Sequence, residues 1–282
     1  MNQVFSFTRW WMLVNRHWIE NRKRYLLALL AIAGLLVAWF GFVIAMNRQG
    51  GLLLLFQFAA YFVGLFFIGC LYASTMFAEL SSKPEGINYL AVPASHLEKL
   101  CCAVFFGVFL FFVAYTLIFY IVDIPMVNLS LRLVARHPSA FSDLGDPQDS
   151  ISIFNIITGA GGPIRDLEGI VFLVWYFAIQ SAFILGSVYF TKYSFLKTVV
   201  AILLFLLLFV FFIERGIHRQ LPEGWHLTEF FLRWSQLSST KGEMQMVRLP
   251  GWIEQMVMLA LPFGIPILFW VVTYFRLKEK EV

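Results

Sequence analysis

Histidine, cysteine and aspartate are the side chains that most often hold metals or move protons, and in this 282-residue chain they are scattered. Of the five histidines, His96 lies near Glu98, while His218 and His226 stand far along the chain. There is no H-E-x-x-H pair, no CxxC and no H-x-E…CxxC pattern, so the ligand spacings of a zinc site are missing. Asp143, Asp146 and Asp149 recur every third residue, which does not match the calcium loop of an EF-hand and reads as a solvated loop. The glycine-rich run Gly159–Gly162 lacks a following Lys and Ser/Thr, and no Walker motif occurs elsewhere. The chain is therefore not expected to be an enzyme or to hydrolyse ATP, and no cofactor or metal is expected within it. Asp123 and Glu214 each close an apolar stretch, where a carboxylate either lines an exit or is simply wetted, and wetting is the commoner case. No Asp, Glu, Lys, Arg or His then lies deep in an apolar stretch, which counts against a proton-coupled pump.

One polar element does carry a local signal. Between Glu79 and Lys99 the chain is punctuated by Pro84, Gly86 and Pro93, and Ser95 is followed three residues on by Glu98. That spacing is a capping box: the hydroxyl accepts a free amide of the first turn, and the carboxylate reaches back to the amide of the cap. A helix is thus predicted to start at Ser95, with room for one short helix or turn between Lys83 and Val92.

The elements that must position this loop are written in the composition. The chain is 60% hydrophobic and 13% charged, against roughly 45–50% and about 25% in soluble domains. Six stretches approach or exceed the roughly 20 apolar residues that span hydrocarbon: Tyr25–Met46, Leu52–Phe77, Leu100–Val122, Gly169–Phe190, Phe195–Ile213 and Ile253–Phe275. Backbone groups in lipid must be satisfied within the segment, so each is expected to be a helix, and Ile202–Phe212 lacks the alternation of a β-barrel strand. The expected fold is an all-α polytopic membrane protein: one transmembrane domain over residues 1–282, with six spans and an N-terminal interfacial helix. Cys70, Cys101 and Cys102 lie in spans or at a span's end and cannot staple an external loop.

Arg22, Lys23 and Arg24 abut the first span, and Arg276, Lys278 and Lys280 follow the last. By the positive-inside rule both termini are cytoplasmic, in a bacterial inner membrane, and the net charge of +4 serves orientation and anionic lipid rather than nucleic acid. Residues 1–24 then form a cytoplasmic interfacial helix before the chain turns into the membrane. Its Phe7, Trp10, Trp11, Val14 and Trp18 recur at helical spacing, a stripe suited to the lipid surface or to the bundle. Residues 78–99 form a cytoplasmic loop, and 123–168 and 214–252 are external, the latter carrying an amphipathic pattern from Leu227 to Leu237. Small residues four apart (Gly34 and Ala38, Gly41 and Ala45, Ala60 and Gly64, Gly69 and Ala73) predict close helix packing, and the Leu- and Phe-rich fifth span predicts a lipid-facing helix.

This layout resembles the ABC-2 class of transporter permeases, in particular the short bacterial ones made as separate polypeptides. Locally, Phe77–Leu80 followed by Asn88-Tyr89-Leu90-Ala91-Val92-Pro93-Ala94-Ser95 and Glu98-Lys99 is similar to the "LP-A-S-x-x-E-K" stretch of Bacteroidota permeases, with Val92 where Leu is commoner. The first external loop is longer than the compact exporters of this class have. The resemblance implies a permease subunit of an ATP-binding cassette exporter, paired with a second permease copy or paralogue. A separately encoded ATPase would bind ATP and Mg. It also implies that the loop between spans two and three receives the ATPase's movement, placing the contact on Lys83, Glu85, Asn88, Tyr89, His96, Glu98 and Lys99. The reading set beside it is a non-transporting scaffold or assembly subunit of a cell-envelope complex.

Overall fold

The computed structural model describes residues 5–46, 52–81, 83–135, 151–157, 168–217 and 251–280. Its elements are α1 (Phe7–Met46), α2 (Leu54–Ala73), α3 (Lys83–Leu90), α4 (His96–Val104), α5 (Phe111–Ala135), α6 (Glu168–Tyr189), α7 (Ser194–Ile217) and α8 (Gly251–Glu279). A short 3-10 turn, Ala78–Ser81, precedes α3, and a π-helical stretch, Phe105–Leu110, joins α4 to α5. Among the described residues five helical stretches are long and apolar enough to cross a membrane: Phe7–Met46, Leu54–Leu80, His96–Ala135, Phe172–Tyr189 and Ser194–Phe212. The protein is a helical, polytopic membrane protein. The sixth expected span falls in α8, which is helical over its 29 residues, although the side chains of 251–262 lie outside the described residues.

The most informative departure from expectation concerns α1. No turn separates the aromatic N-terminal segment from the first apolar stretch; Phe7–Met46 is one helix of 40 residues. At ~1.5 Å per residue that is about 60 Å, twice the ~30 Å of a hydrocarbon core. The junction Arg22-Lys23-Arg24 contains good helix formers and no Pro or Gly, so the change in polarity at Tyr25 gives the backbone no reason to stop. The run from His96 to Ala135 is equally long, and it lies alongside α1 in the same direction. Arg9 meets Glu98, Tyr25 stacks on Phe106 and Phe40 meets Phe119 in order along the pair.

Helix α2 runs antiparallel to α5: the Tyr61 hydroxyl pairs with Thr116 at 2.9 Å, and the Leu52 amide donates to Ser130 Oγ at 2.8 Å. Helix α6 packs on α8, α2 and α7. The core between them is aromatic, with Phe40, Tyr61, Tyr115, Phe119 and Tyr176 all fully buried.

Small residues separate into two groups. A side chain at Gly64 would meet the Tyr115 ring, and one at Gly69 would meet Gln180 and Phe111, so the α2 pair marks real helix contacts. Gly34 and Gly41 of α1 face open space instead, and the expected close packing does not occur at these glycines. Gly186 of α6, which the spacing rule did not single out, lies against the side chain of Thr198 on α7. Apart from that seam α7 is exposed along nearly all its length, as a lipid-facing helix would be.

Candidate functional site

Ser95 begins α4 with extended backbone, and its Oγ accepts the Glu98 amide at 3.2 Å while Glu98 Oε2 accepts the Ser95 amide at 2.8 Å. The predicted capping box is therefore formed. Its carboxylate does more than the spacing showed. Glu98 Oε1 also accepts the Ser6 amide at 2.7 Å and the Arg9 guanidinium at 3.0 Å and 3.2 Å. Ser6 immediately precedes α1, so one fully buried carboxylate satisfies free amides at the starts of both 40-residue helices. Glu98 stands two residues before the apolar stretch that begins at Leu100. Burial alone would raise its carboxyl, but the Ser95 and Ser6 amides and Arg9 outweigh that and hold it below its ordinary value.

Next to this clamp, a cavity of about 70 Å³ opens between α1, α3 and the start of α4. Leu13, Arg16, His17 and Glu20 line it from α1, Asn88 and Tyr89 from α3, with Glu79, Val92 and Lys99 closing it. It has room for a few waters, not for a substrate. Arg16 and Glu20 pair at 2.8 Å within α1. Lys99 is buried, with its ammonium 5.4 Å from the centre of the Tyr89 ring. Tyr89 also meets Phe77 edge-to-face, and burial pushes its phenol above the ordinary value. Among the described residues no three His, Cys, Asp or Glu side chains come together as a metal site. The arrangement is a packed ionic joint.

The seven residues expected to meet a partner ATPase are thus divided by the structure. Asn88, Tyr89 and Lys99 share the cavity. Glu98 faces the start of α1. His96 turns to α8, where its ring meets Tyr274 edge-on. The side chains of Lys83 and Glu85 lie outside the described residues. Of the rest only Asn88 is exposed, and the neighbouring Ile87 is 68% exposed. Glu98 and Lys99 are buried within this joint. The local sequence pointed to neither Ser6, Arg9 nor the α1 wall of the cavity, because those pairings cross about ninety residues of chain. The aromatic stripe of α1 also splits: Val14 is buried and Trp10 packs edge-on to Phe105, whereas Phe7, Trp11 and Trp18 remain exposed.

At the opposite end of the bundle the expected boundary carboxylate is not wetted. Helix α5 continues past Val122 to Ala135, and Asp123 within it is completely buried. The loop expected from residue 123 accordingly starts as helix and can begin only after Ala135. Asp143, Asp146, Asp149, the Gly159–Pro163 turn and the pattern from Leu227 to Leu237 lie outside the described residues, as does the Glu214 side chain. No family model matches this chain, and no curated protein or solved structure matches it either.

Proposed function

We propose that this chain is the permease subunit of an ATP-binding cassette exporter, driven by a separately encoded ATPase. The observation that carries the reading is how α3 is mounted. It is a short helix beyond the apolar stretches, with Tyr89 seated in the ionic joint and Ile87 and Asn88 turned outward. The joint itself is bolted to the two longest helices through Glu98. A rigidly held, exposed element at the end of the membrane helices can convey a push into them. The similarity of residues 88–99 to the Bacteroidota permease motif supports the same assignment.

In this reading both termini and α3 are cytoplasmic, α8 is the sixth span, and the membrane is the bacterial inner membrane. The partner ATPase binds ATP and Mg, a second permease copy or paralogue completes the pathway, and a lipid-like, glycan or peptide substrate moves outward. A non-transporting scaffold is the second reading. The nearly continuous exposure of α7 favours it, since such a helix can hold another membrane protein as readily as lipid.

Gentle detergent extraction from the native host, followed by mass spectrometry of what copurifies, tests the assignment. The permease reading expects an ATPase subunit in stoichiometric amount. Recovery of a different envelope complex with no nucleotide-binding subunit would replace it with the scaffold.

A further inference from the structure

At the end of the bundle away from α3, residues 151–157 fold back onto the helices. Phe154 is buried, its ring 5.3 Å from Tyr61 and 5.7 Å from Phe119. Two side chains fix this segment by its carbonyls: Gln57 Nε2 donates to Ser152 at 3.1 Å, and the Tyr120 hydroxyl donates to Phe154 at 3.1 Å. Both side chains of the seam that remain unsatisfied are acceptors. Asp123 has no exposed surface, and neither carboxyl oxygen has a hydrogen-bond donor; Gln57 is equally buried and its Oε1 has none. The Phe154 amide approaches the carboxyl without completing a bond.

The two groups stand at the same level of facing helices. The contacts Tyr61–Thr116 and Leu52–Ser130 bracket the antiparallel pair, with Gln57 between the first members and Asp123 between the second. Two facing acceptors become a donor and an acceptor when one carboxyl oxygen takes up a proton, because a protonated carboxyl donates one bond and loses the charge that burial penalises. A metal ion would need several oxygens arranged around a space for it, whereas a proton needs no space.

We propose that Asp123 is a proton-binding site whose carboxyl O–H is donated across the seam to Gln57 Oε1, latching residues 151–157 to the end of the bundle. The proton comes from water, and its loss leaves a carboxylate and an amide oxygen facing each other with the segment's anchorage weakened. No charged side chain intervenes among the described residues. The titratable group beside Asp123 is Tyr120 of α5 itself, while the Tyr61 hydroxyl of α2 is taken up by Thr116; residues 151–157 bring none, and Arg132, further along α5, is exposed. The proposal is independent of the ATPase assignment, since it concerns the opposite end and needs no partner.

The test is hydrogen–deuterium exchange of the peptide covering residues 151–157 in the full-length purified protein, across pH and corrected for intrinsic exchange. Protection is expected to fall at least about tenfold as rising pH removes the proton from this carboxyl. Asp123→Asn keeps a donor for Gln57 Oε1, so its protection should stay at the acid value throughout. In wild type, a neutral-carboxyl infrared band should disappear over the same pH range, which keeps the test decisive should the variant misfold. Flat wild-type protection would overturn the proposal, as would pH dependence surviving in Asp123→Asn. Protection that tracks replacement of sodium by choline at fixed pH would also overturn it, in favour of a metal ion.

Discussion

Glu98 concentrates most of what a single side chain does here. Its carboxylate accepts two amides and a guanidinium, so replacing it removes the anchor of two helix starts at once. Glu98→Gln loses the charge and turns one acceptor into a donor facing donors. A loss of about 2 kcal/mol is expected, the scale of a charge-assisted bond left unmade. Thermal unfolding in detergent, with exchange at residues 5–10, reads it; unchanged protection of that segment would show that Arg9 and Ser6 do not depend on the carboxylate. The pH sign follows from its depressed folded value. Such a group adds stability above the ordinary carboxylate range of about 4.3, which is lost only as pH falls through the lower folded value. Docking of the N-terminal segment should therefore be level from pH 6 to 8 and fail in strong acid, the reverse of the behaviour expected at residues 151–157.

Among the helices, what was legible in sequence was what is local. The capping box at Ser95 and Glu98 works within one turn, and apolar length finds the spans because hydrocarbon thickness dictates it. Three features were hidden for physical reasons. The continuity of α1 through Arg22-Lys23-Arg24 was missed because polarity, not helix propensity, changes there. Asp123 ends an apolar stretch but not its helix, and the residues that bury it come from about thirty positions later. Small residues four apart mark permissible contacts rather than actual ones, as the contrast of Gly64 with Gly34 shows. That contrast is testable. Gly186→Ala drives a methyl into the Thr198 side chain and should cost about 1–3 kcal/mol, as overpacking does. Gly34→Ala meets nothing and should change stability by no more than about 0.5 kcal/mol, as surface substitutions usually do. Paired melts of the two variants decide it; equal losses would mean that the α6–α7 seam is not packed as described.

Across the whole molecule, two parallel helical runs of 40 residues extend from the Glu98 clamp at one end towards the seam at the other, where α2 and α5 together hold the docked segment. One end carries α3 and the ionic joint; the other carries Asp123, Gln57 and residues 151–157. In the proposed role, a displacement of α3 would reach α1 and α4 through the side chains that line the cavity. The proposed export role needs this layout, and it needs a partner at Ile87 and Asn88. The most direct measurement places a photoreactive residue at position 88 and irradiates native membranes. A single cross-linked species containing an ATPase subunit, lost when Ile87 is changed to Asp while the melting temperature holds, is the predicted result. Cross-linking of position 88 to a different envelope protein, or to lipid alone, would contradict the account.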